Sequence, residues 1–306
     1  MSPARPQAEE SALAAVAEAL RCPECGRGLI FADSVLRCER GHSFDIARQG
    51  YVSLLTGAAG KLTGDSAAML DARAAFQSAG YFTPVAEAIA DAAVSSSPER
   101  DGERVLDIGA GTGYYTARVL DALPAARGIA LDIAKAAGRR CARAHPRAAA
   151  VVADAWRGLP VGDHTITLAM SVFAPRNPGE IVRALAPAGR YIVVTPTAAH
   201  LAELIDPLGM VTVDPDKDRR LTEALAGRFE RRAGATVEYP MSLPHEAIAA
   251  LVGMGPSAHH AATPADRIAA LPDPCTVTAS VSVAVYTPTA GWSPADPHLT
   301  ADPRSL

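Results

Sequence analysis

Two groups of residues in this chain have the types and spacing to do chemistry. The first is Cys22-Pro23-Glu24-Cys25 and Cys38-Glu39-Arg40-Gly41-His42, with twelve residues between the halves. Each half sets two ligands on one tight turn. Three thiolates with one imidazole make the soft and borderline set that tetrahedral zinc prefers. Cys22, Cys25, Cys38 and His42 therefore predict a zinc ion, and a closed set of four leaves no position for a substrate, so the ion is structural. A redox Cys-x-x-Cys finds no support, since no strand-helix-strand pattern surrounds it and a third Cys and a His lie close by. The second group starts where the apolar run Val105-Leu106 ends in Asp107 and passes through Ile108 into Gly109, Gly111 and Gly113. Asp132 and Asp154 then each follow a further apolar run.

Alternating glycines let a backbone turn sharply and approach a ligand with no Cβ in the way. A dinucleotide fingerprint needs its third glycine one place later, where Tyr114 stands, so hydride transfer is disfavoured. An acid beside the loop repels a pyrophosphate but attracts sulfonium and ammonium groups. The pattern resembles the S-adenosylmethionine loop of class I methyltransferases. Asp132, about twenty residues beyond the loop, suits the two hydroxyls of a ribose, and Asp154 suits an adenine amino group. Taken singly, each aspartate has the weaker alternative of a helix N-cap. Together at the carboxyl ends of neighbouring strands they form a cofactor constellation.

Those strands must come from a doubly wound α/β sheet, because apolar runs alternate with amphipathic helical stretches from Arg104 onward. Strands are expected over Arg104 to Ile108, Gly128 to Leu131, Ala149 to Val152, Thr165 to Ser171 and Arg190 to Thr195. Thr236 to Ser242 and Thr276 to Tyr286 lack helices of their own and suit an antiparallel edge. Residues 1–20 read as an N-terminal extension, 21–56 as the zinc module, 57–98 as a linker with helices and 99–287 as the methyltransferase domain. Residues 288–306, rich in Pro, Ala and Asp, read as a disordered tail. In the linker region Asp65-Ser66 predicts a helix N-cap and Thr83-Pro84 a second helix start. The 306 residues are 49% hydrophobic with a net charge of -4, enough to bury a full core and without the global excess of base typical of nucleic-acid proteins. No run is long and apolar enough for a membrane span, and the first ten residues lack the marks of a secretion signal, so a cytoplasmic protein without membrane partners is expected.

Several stretches in combination resemble the 23S rRNA (guanine-N1)-methyltransferase family, in particular its macrolide (tylosin and mycinamicin) resistance branch. They are the zinc pattern with Gly41-His42-Ser43-Phe44-Asp45, the run Ala47-Arg48-Gln49-Gly50-Tyr51-Val52, Gly64-Asp65-Ser66 leading to Ala72-Arg73, and Asp107 to Tyr115. Val172-Phe173-Ala174-Pro175-Arg176-Asn177-Pro178, Thr195-Pro196 leading to His200-Leu201-Ala202-Glu203-Leu204, and Met254-Gly255-Pro256-Ser257 complete the set. The resemblance implies that Gly111, Thr112 and His200 line the S-adenosylmethionine site. One branch of the family has Glu at Thr112, and Phe82 stands where the family touches cofactor with a Tyr, keeping the ring but losing the hydroxyl. The implied substrate is a guanine in a 23S rRNA hairpin loop at the peptide exit tunnel.

For such a substrate, Phe173 is placed to stack on an extruded base and Arg176 to hold a phosphate. No unique general base for the guanine N1 proton stands out. Arg27, Arg37, Arg40, Arg48, Lys61 and Arg73 with Phe31, Phe44 and Tyr51 give the N-terminal region an RNA-like character, diluted by Asp33, Glu39 and Asp45. Further basic groups are Arg139, Arg140, Arg143 and Arg147, and Lys217, Arg219 and Arg220. Two rival readings remain: a small-molecule methyltransferase of a biosynthetic cluster on the same scaffold, which the acidic balance favours, and a zinc-ribbon RNA-binding module whose methyltransferase domain is inactive. A homodimer is compatible with any of these.

Overall fold

The structure, a computed structural model, describes residues 11–57, 64–96, 102–210, 212, 216–255 and 265–289. The expected loose N-terminus, most of the glycine-rich linker with Lys61, the Ser97-Pro98 break, Pro256-Ser257 and nearly all of the expected tail lie outside the described residues, as does the side chain of Lys217.

The chain opens with α1 (Ala12–Val16) and a 3-10 turn (Ala17–Ala19), followed by β1 (Ile30–Ala32), β2 (Val35–Arg37) and β3 (Ser43–Asp45). These three strands form a small antiparallel sheet, the hairpin expected to carry the second pair of zinc ligands to the first. β4 (Tyr51–Ser53), α2 (Ala67–Ser78) and α3 (Thr83–Ser95) come next. Ser66 caps α2 by accepting from the Met69 amide at 3.2 Å, and Thr83-Pro84 opens α3. Then follow β5 (Arg104–Ile108), α4 (Tyr114–Ala122), β6 (Arg127–Asp132), α5 (Lys135–Ala144), β7 (Ala148–Val152), β8 (Ile166–Val172), α6 (Pro178–Ala184) and β9 (Leu185–Pro196). The remainder is α7 (Ala202–Leu208), α8 (Lys217–Leu225), β10 (Phe229–Leu243), α9 (His245–Gly253), α10 (Ala265–Ala269) and β11 (Cys275–Pro288).

Eight strands form one sheet in the order β10-β11-β9-β8-β5-β6-β7-β4. All pairs from β9 to β4 are parallel, while β11 lies antiparallel to both β9 and β10. This is the class I methyltransferase arrangement with its antiparallel edge. The chain order reverses between β5 and β8, and the carboxyl ends of strands beside such a switch point are where open α/β sheets bind ligands. β5 and β7 are buried almost throughout because helices cover both faces of the sheet. Arg190 and Glu103 make a 2.8 Å ion pair with side chains only 4% and 5% exposed.

Some elements differ from the sequence expectation. β9 starts at Leu185 and β10 at Phe229, both earlier than expected, because these strands extend along their antiparallel and parallel neighbours past the apolar stretch. Tyr51–Ser53 keeps an antiparallel bridge to the zinc module between Val52 and Ile46 and also adds an eighth strand beside β7. The helices of the expected linker are packed parts of the catalytic body, with α2 against α5 and α9 and α3 against α4 and β11. Leu29 and Leu36 of the zinc module share one buried cluster with Leu106, Ile108 and Ile129 of the sheet. Among the described residues no helix is long and apolar enough to cross a membrane.

Candidate active site and metal centre

The zinc ligands converge as their spacing requires. One ligand atom from each of Cys22, Cys25, Cys38 and His42 lies within 4.8 Å of every other. Cys25 and Cys38 Sγ are 3.7 Å apart, and His42 Nδ1 is 3.5 Å from Cys22 Sγ and 3.4 Å from Cys38 Sγ. A tetrahedral zinc with bonds of about 2.3 Å to sulfur and 2.0 Å to nitrogen has edges of about 3.5–3.8 Å, so the residues fit the ion. The turns that make this possible are held by Gly26 donating to the Cys22 carbonyl and Gly41 to that of Cys38. Gly41 has φ +84°, a conformation that suits glycine.

At the carboxyl end of β5 the loop Gly109-Gly113 turns into α4, whose first residue is Tyr114 as expected. Gly109, Gly111 and Gly113 have φ of +77°, +57° and +78°. A Cβ on Gly109 would lie 2.6 Å from the Ala174 Cβ, and one on Gly113 would lie 2.6 Å from that of Ala144. The glycines are thus required twice, by conformation and by space.

Asp107 is fully buried under the loop and accepts from Thr116 Oγ1 at 2.6 Å. Burial pushes its carboxyl up to about 7, with the Thr116 hydrogen bond opposing the shift. Asp132, at the end of β6, accepts from the Gly111 amide at 2.9 Å and from Ala134 at 2.8 Å. It is therefore no simple N-cap: one carboxylate ties the glycine loop to the next turn while each oxygen keeps a further lone pair for a hydroxyl. Burial raises its pKa, and the two amides work against that rise. Asp154 lies beyond the end of β7 and accepts from the Trp156 amide at 2.9 Å. It also forms part of the wall of a cavity of about 690 Å³ between the zinc module and the sheet, lined by Arg21, Cys22, Leu54, Arg157 and Arg183 among others. That cavity does not extend to Asp107, the glycine loop or Asp132.

The aromatic candidates come together although they are far apart in sequence. Phe82, Phe173 and His200 form a trio with ring centroids 6.0–6.3 Å apart, His200 stacking on both phenylalanines. Phe82 is buried, as a core aromatic would be, yet it faces this trio. Phe173 follows β8 at φ +53°, rare for a bulky residue, and the residue is 41% exposed. The Ser280 amide donates to His200 Nδ1 at 3.1 Å, so in the neutral ring the proton sits on Nε2. Arg176 is half-buried, and its charge lowers the pKa of the buried Tyr191 hydroxyl, though burial dominates there and carries that pKa up to about 12.

Of the basic groups, many serve the fold. Arg147 donates to the Leu123 and Ala126 carbonyls, Arg140 pairs with Asp71, and Arg219 pairs with Asp216 and Glu223. Arg27 pairs with Glu39. Arg37, Arg40 and Arg48 are exposed on the zinc module.

Sequence reasoning counted Arg73 among the RNA-facing basic residues of the N-terminal region and gave Gln77 no role; the structure puts both on α2. Its residues Arg73 and Gln77 face the glycine loop: Thr112 Oγ1 donates to Gln77 Oε1 at 2.6 Å, and Arg73 lies over Gly111. The Asp65-Ser66-to-Arg73 motif was the available signal, but its target is known only once the helix is docked. Among the described residues the buried Tyr114 hydroxyl finds no hydrogen-bond partner, a donor of the kind a polar cofactor would satisfy. The cradle of glycine backbone, the two aspartates and this hydroxyl fit S-adenosylmethionine.

Comparison with known proteins agrees with this geometry. Residues 20–57 match the family described as "RlmA, N-terminal", a zinc ribbon, and residues 105–193 match "Methyltransferase domain". A Micromonospora griseorubida protein named as a 23S rRNA (guanine-N(1)-)-methyltransferase is 50% identical over 287 residues, covering 88% of this chain and 97% of the relative. The 23S rRNA (guanine(748)-N(1))-methyltransferase of Streptomyces fradiae is 46% identical over 88% of this chain and 96% of its own length. YxjB of Bacillus subtilis, named for the same reaction, is 30% identical over 82% of this chain and 90% of its own. With its zinc ribbon, its glycine loop and relatives matched along nearly their whole length, the chain belongs to the 23S rRNA (guanine-N1)-methyltransferase family and is an S-adenosylmethionine-dependent enzyme with a structural zinc site.

Proposed function

We propose that this enzyme methylates N1 of a guanine in a hairpin loop of 23S rRNA at the peptide exit tunnel, a modification of the macrolide-resistance type. The observation that carries the reading is Phe173, an exposed ring at the end of β8, stacked on His200 beside the glycine loop. A base held in a loop must be extruded before its N1 can reach a methyl donor, and an exposed aromatic face at the cleft offsets the stacking it loses. When bound, S-adenosylmethionine would supply an electrophilic methyl: N1–CH3 forms as S–CH3 breaks, S-adenosylhomocysteine leaves, and the N1 proton passes to solvent water. The protein's share is alignment and exclusion of water. Asp132 and Asp154 orient the donor through ribose and adenine, Phe82 and His200 wall the reacting end, and Arg176 with the exposed Arg37, Arg40 and Arg48 meets the RNA backbone.

The net charge of -4 and the self-paired Arg219 favour the small-molecule rival. One experiment separates the two. Mass spectrometry of 23S rRNA from cells with and without the protein should reveal one additional methylguanine in a loop. Unchanged rRNA, with a methyl group gained by a small molecule of the same cells, would overturn the rRNA reading.

A further inference from the structure

The sheet fixes which way a bound S-adenosylmethionine points. Asp132 ends β6 and Asp154 follows β7, so with the ribose at the first and the adenine at the second, the amino-acid end must run the opposite way, across β5 toward β8. That path crosses the glycine loop, and over Gly111 stands Arg73. A Cβ on Gly111 would lie 2.9 Å from Arg73 Nη1, so the guanidinium rests directly on the loop backbone.

Arg73 is set there by two partners from opposite ends of the chain. Its Nη1 lies 2.5 Å from Asp65 Oδ2, and its Nη2 donates to the Met254 carbonyl at 2.8 Å. These take two of the five N–H donors of a guanidinium. The side chain stays 26% exposed and within electrostatic reach of Asp132. Gly64, which starts the loop carrying Asp65, packs on Ile133 and Ala134, where even a methyl would come within 3 Å of both. The cation is therefore held in place beside the cofactor cleft and keeps donors to spare. The Asp107 and Asp132 carboxylates suit the ammonium, the sulfonium and the hydroxyls of the cofactor, but neither can receive its carboxylate.

We propose that Arg73, oriented by Asp65 and the Met254 carbonyl, binds the α-carboxylate of S-adenosylmethionine. The proposal rests on the cofactor reading and is independent of the RNA substrate. Calorimetric titration of the full chain with S-adenosylmethionine and with decarboxylated S-adenosylmethionine, which lacks only that carboxylate, tests it without any turnover. The unsubstituted protein should prefer the intact cofactor roughly ten- to a hundredfold, the range of a charge-assisted hydrogen-bonded contact. Arg73→Gln should reduce this preference to within about threefold while binding of the decarboxylated ligand changes little. Arg73→Lys, which keeps a cation but not the planar fork, should fall between. A melting curve checks that each variant is folded. Equal weakening of both ligands by Arg73→Gln would make Arg73 a packing residue of the loop and overturn the proposal, as would an undiminished preference. Failure of both ligands to bind the unsubstituted protein would overturn the cofactor reading beneath it.

Discussion

The zinc centre and the cofactor cleft are built on opposite plans. All four zinc ligands fall within 21 residues of sequence, Cys22 to His42, and two tight turns with a three-stranded sheet bring them together. The cleft draws on the loop after β5, the ends of β6 and β8, α2, the residue before α3 and the turn before α7, from Asp65 to Ser280. A local site depends on its ion for most of its cohesion, since so small a module buries little by itself. A distributed site depends on the sheet, and its residues are held whether or not a ligand is present.

The largest effect should come from breaking the local site. Cys22→Ser or His42→Ala should remove zinc on metal analysis and unfold the module, because metal binding of this kind contributes on the order of 10 kcal/mol to folding. The glycine loop and Asp132 are positioned by strands of the parallel sheet, whose pairing needs no metal, so cofactor binding should survive. Full stoichiometric zinc in both variants would refute the four-ligand set. Loss of cofactor binding together with the metal would mean that the cluster shared by Leu36 and Leu106 makes one cooperative unit of both sites.

In the cleft the next effect runs the other way. The Asp107 carboxyl titrates near 7 in the fold and near 3.9 when unfolded. Between about pH 4 and 7 the folded protein therefore holds a proton that the unfolded chain has released, and stability falls as pH rises through that window. Above it both states are ionised and the penalty is constant. Asp107→Asn keeps an acceptor for Thr116 without the buried charge. It should stabilise the protein by on the order of 2–4 kcal/mol at pH 8, and by progressively less toward pH 4. Denaturant titrations of both proteins across that range measure it, and a gain independent of pH would dismiss the buried acid as its source.

How far each plan can be read in sequence follows from the same contrast. Cys22, Cys25, Cys38 and His42 declare themselves because spacing alone implies a turn and a turn implies convergence. Asp107, the three glycines and Asp132 are readable because parallel strands bring their carboxyl ends to one edge of the sheet, whereas Asp154, expected there too, lines a separate cavity that does not reach the loop. Tyr51–Ser53 was invisible as an eighth strand, since three residues carry no periodicity and only docking against β7 defines them. Gln77 went unnoticed and Arg73 was read as an RNA-facing cation because their helix looked like part of a linker: their targets lie 35 or more positions away, and helix packing, not local pattern, creates the contact. The trio of Phe82, Phe173 and His200 required β8, α3 and the turn after β9 to be in place at once.

Smaller changes test the distributed plan from within. Gly109→Ala meets both a positive φ and the Ala174 methyl. It should cost about 1–3 kcal/mol in stability and, by displacing the loop, weaken cofactor binding at least as much. Cofactor titration and melting check it, and a variant with unchanged affinity would show that the loop has room the structure denies. Phe173→Ala should leave cofactor affinity unaltered yet reduce methylation of an rRNA hairpin roughly tenfold or more, since base stacking on an aromatic contributes about 1–3 kcal/mol. Equal methylation rates would remove Phe173 from the substrate path.

The smallest expected effect returns to the zinc module and asks whether it does anything besides fold. Arg37, Arg40 and Arg48 are exposed cations of the module, while Arg27, also exposed, is paired with Glu39 and Arg73 is turned into the cleft. If the module reads RNA, each exposed arginine contributes one phosphate contact with little sequence preference. Neutralising one should then reduce the slope of log affinity against log salt by about 0.7, the value for single-stranded contacts. Arg48→Gln is the cleanest choice because it lies outside the four-ligand turns, so zinc content and the melting curve should not change. A hairpin-binding assay over several salt concentrations gives the slope directly. A slope unaltered by Arg48→Gln and by Arg40→Gln alike would confine the module to a structural part and leave RNA recognition to the rim of the cleft around Phe173 and Arg176.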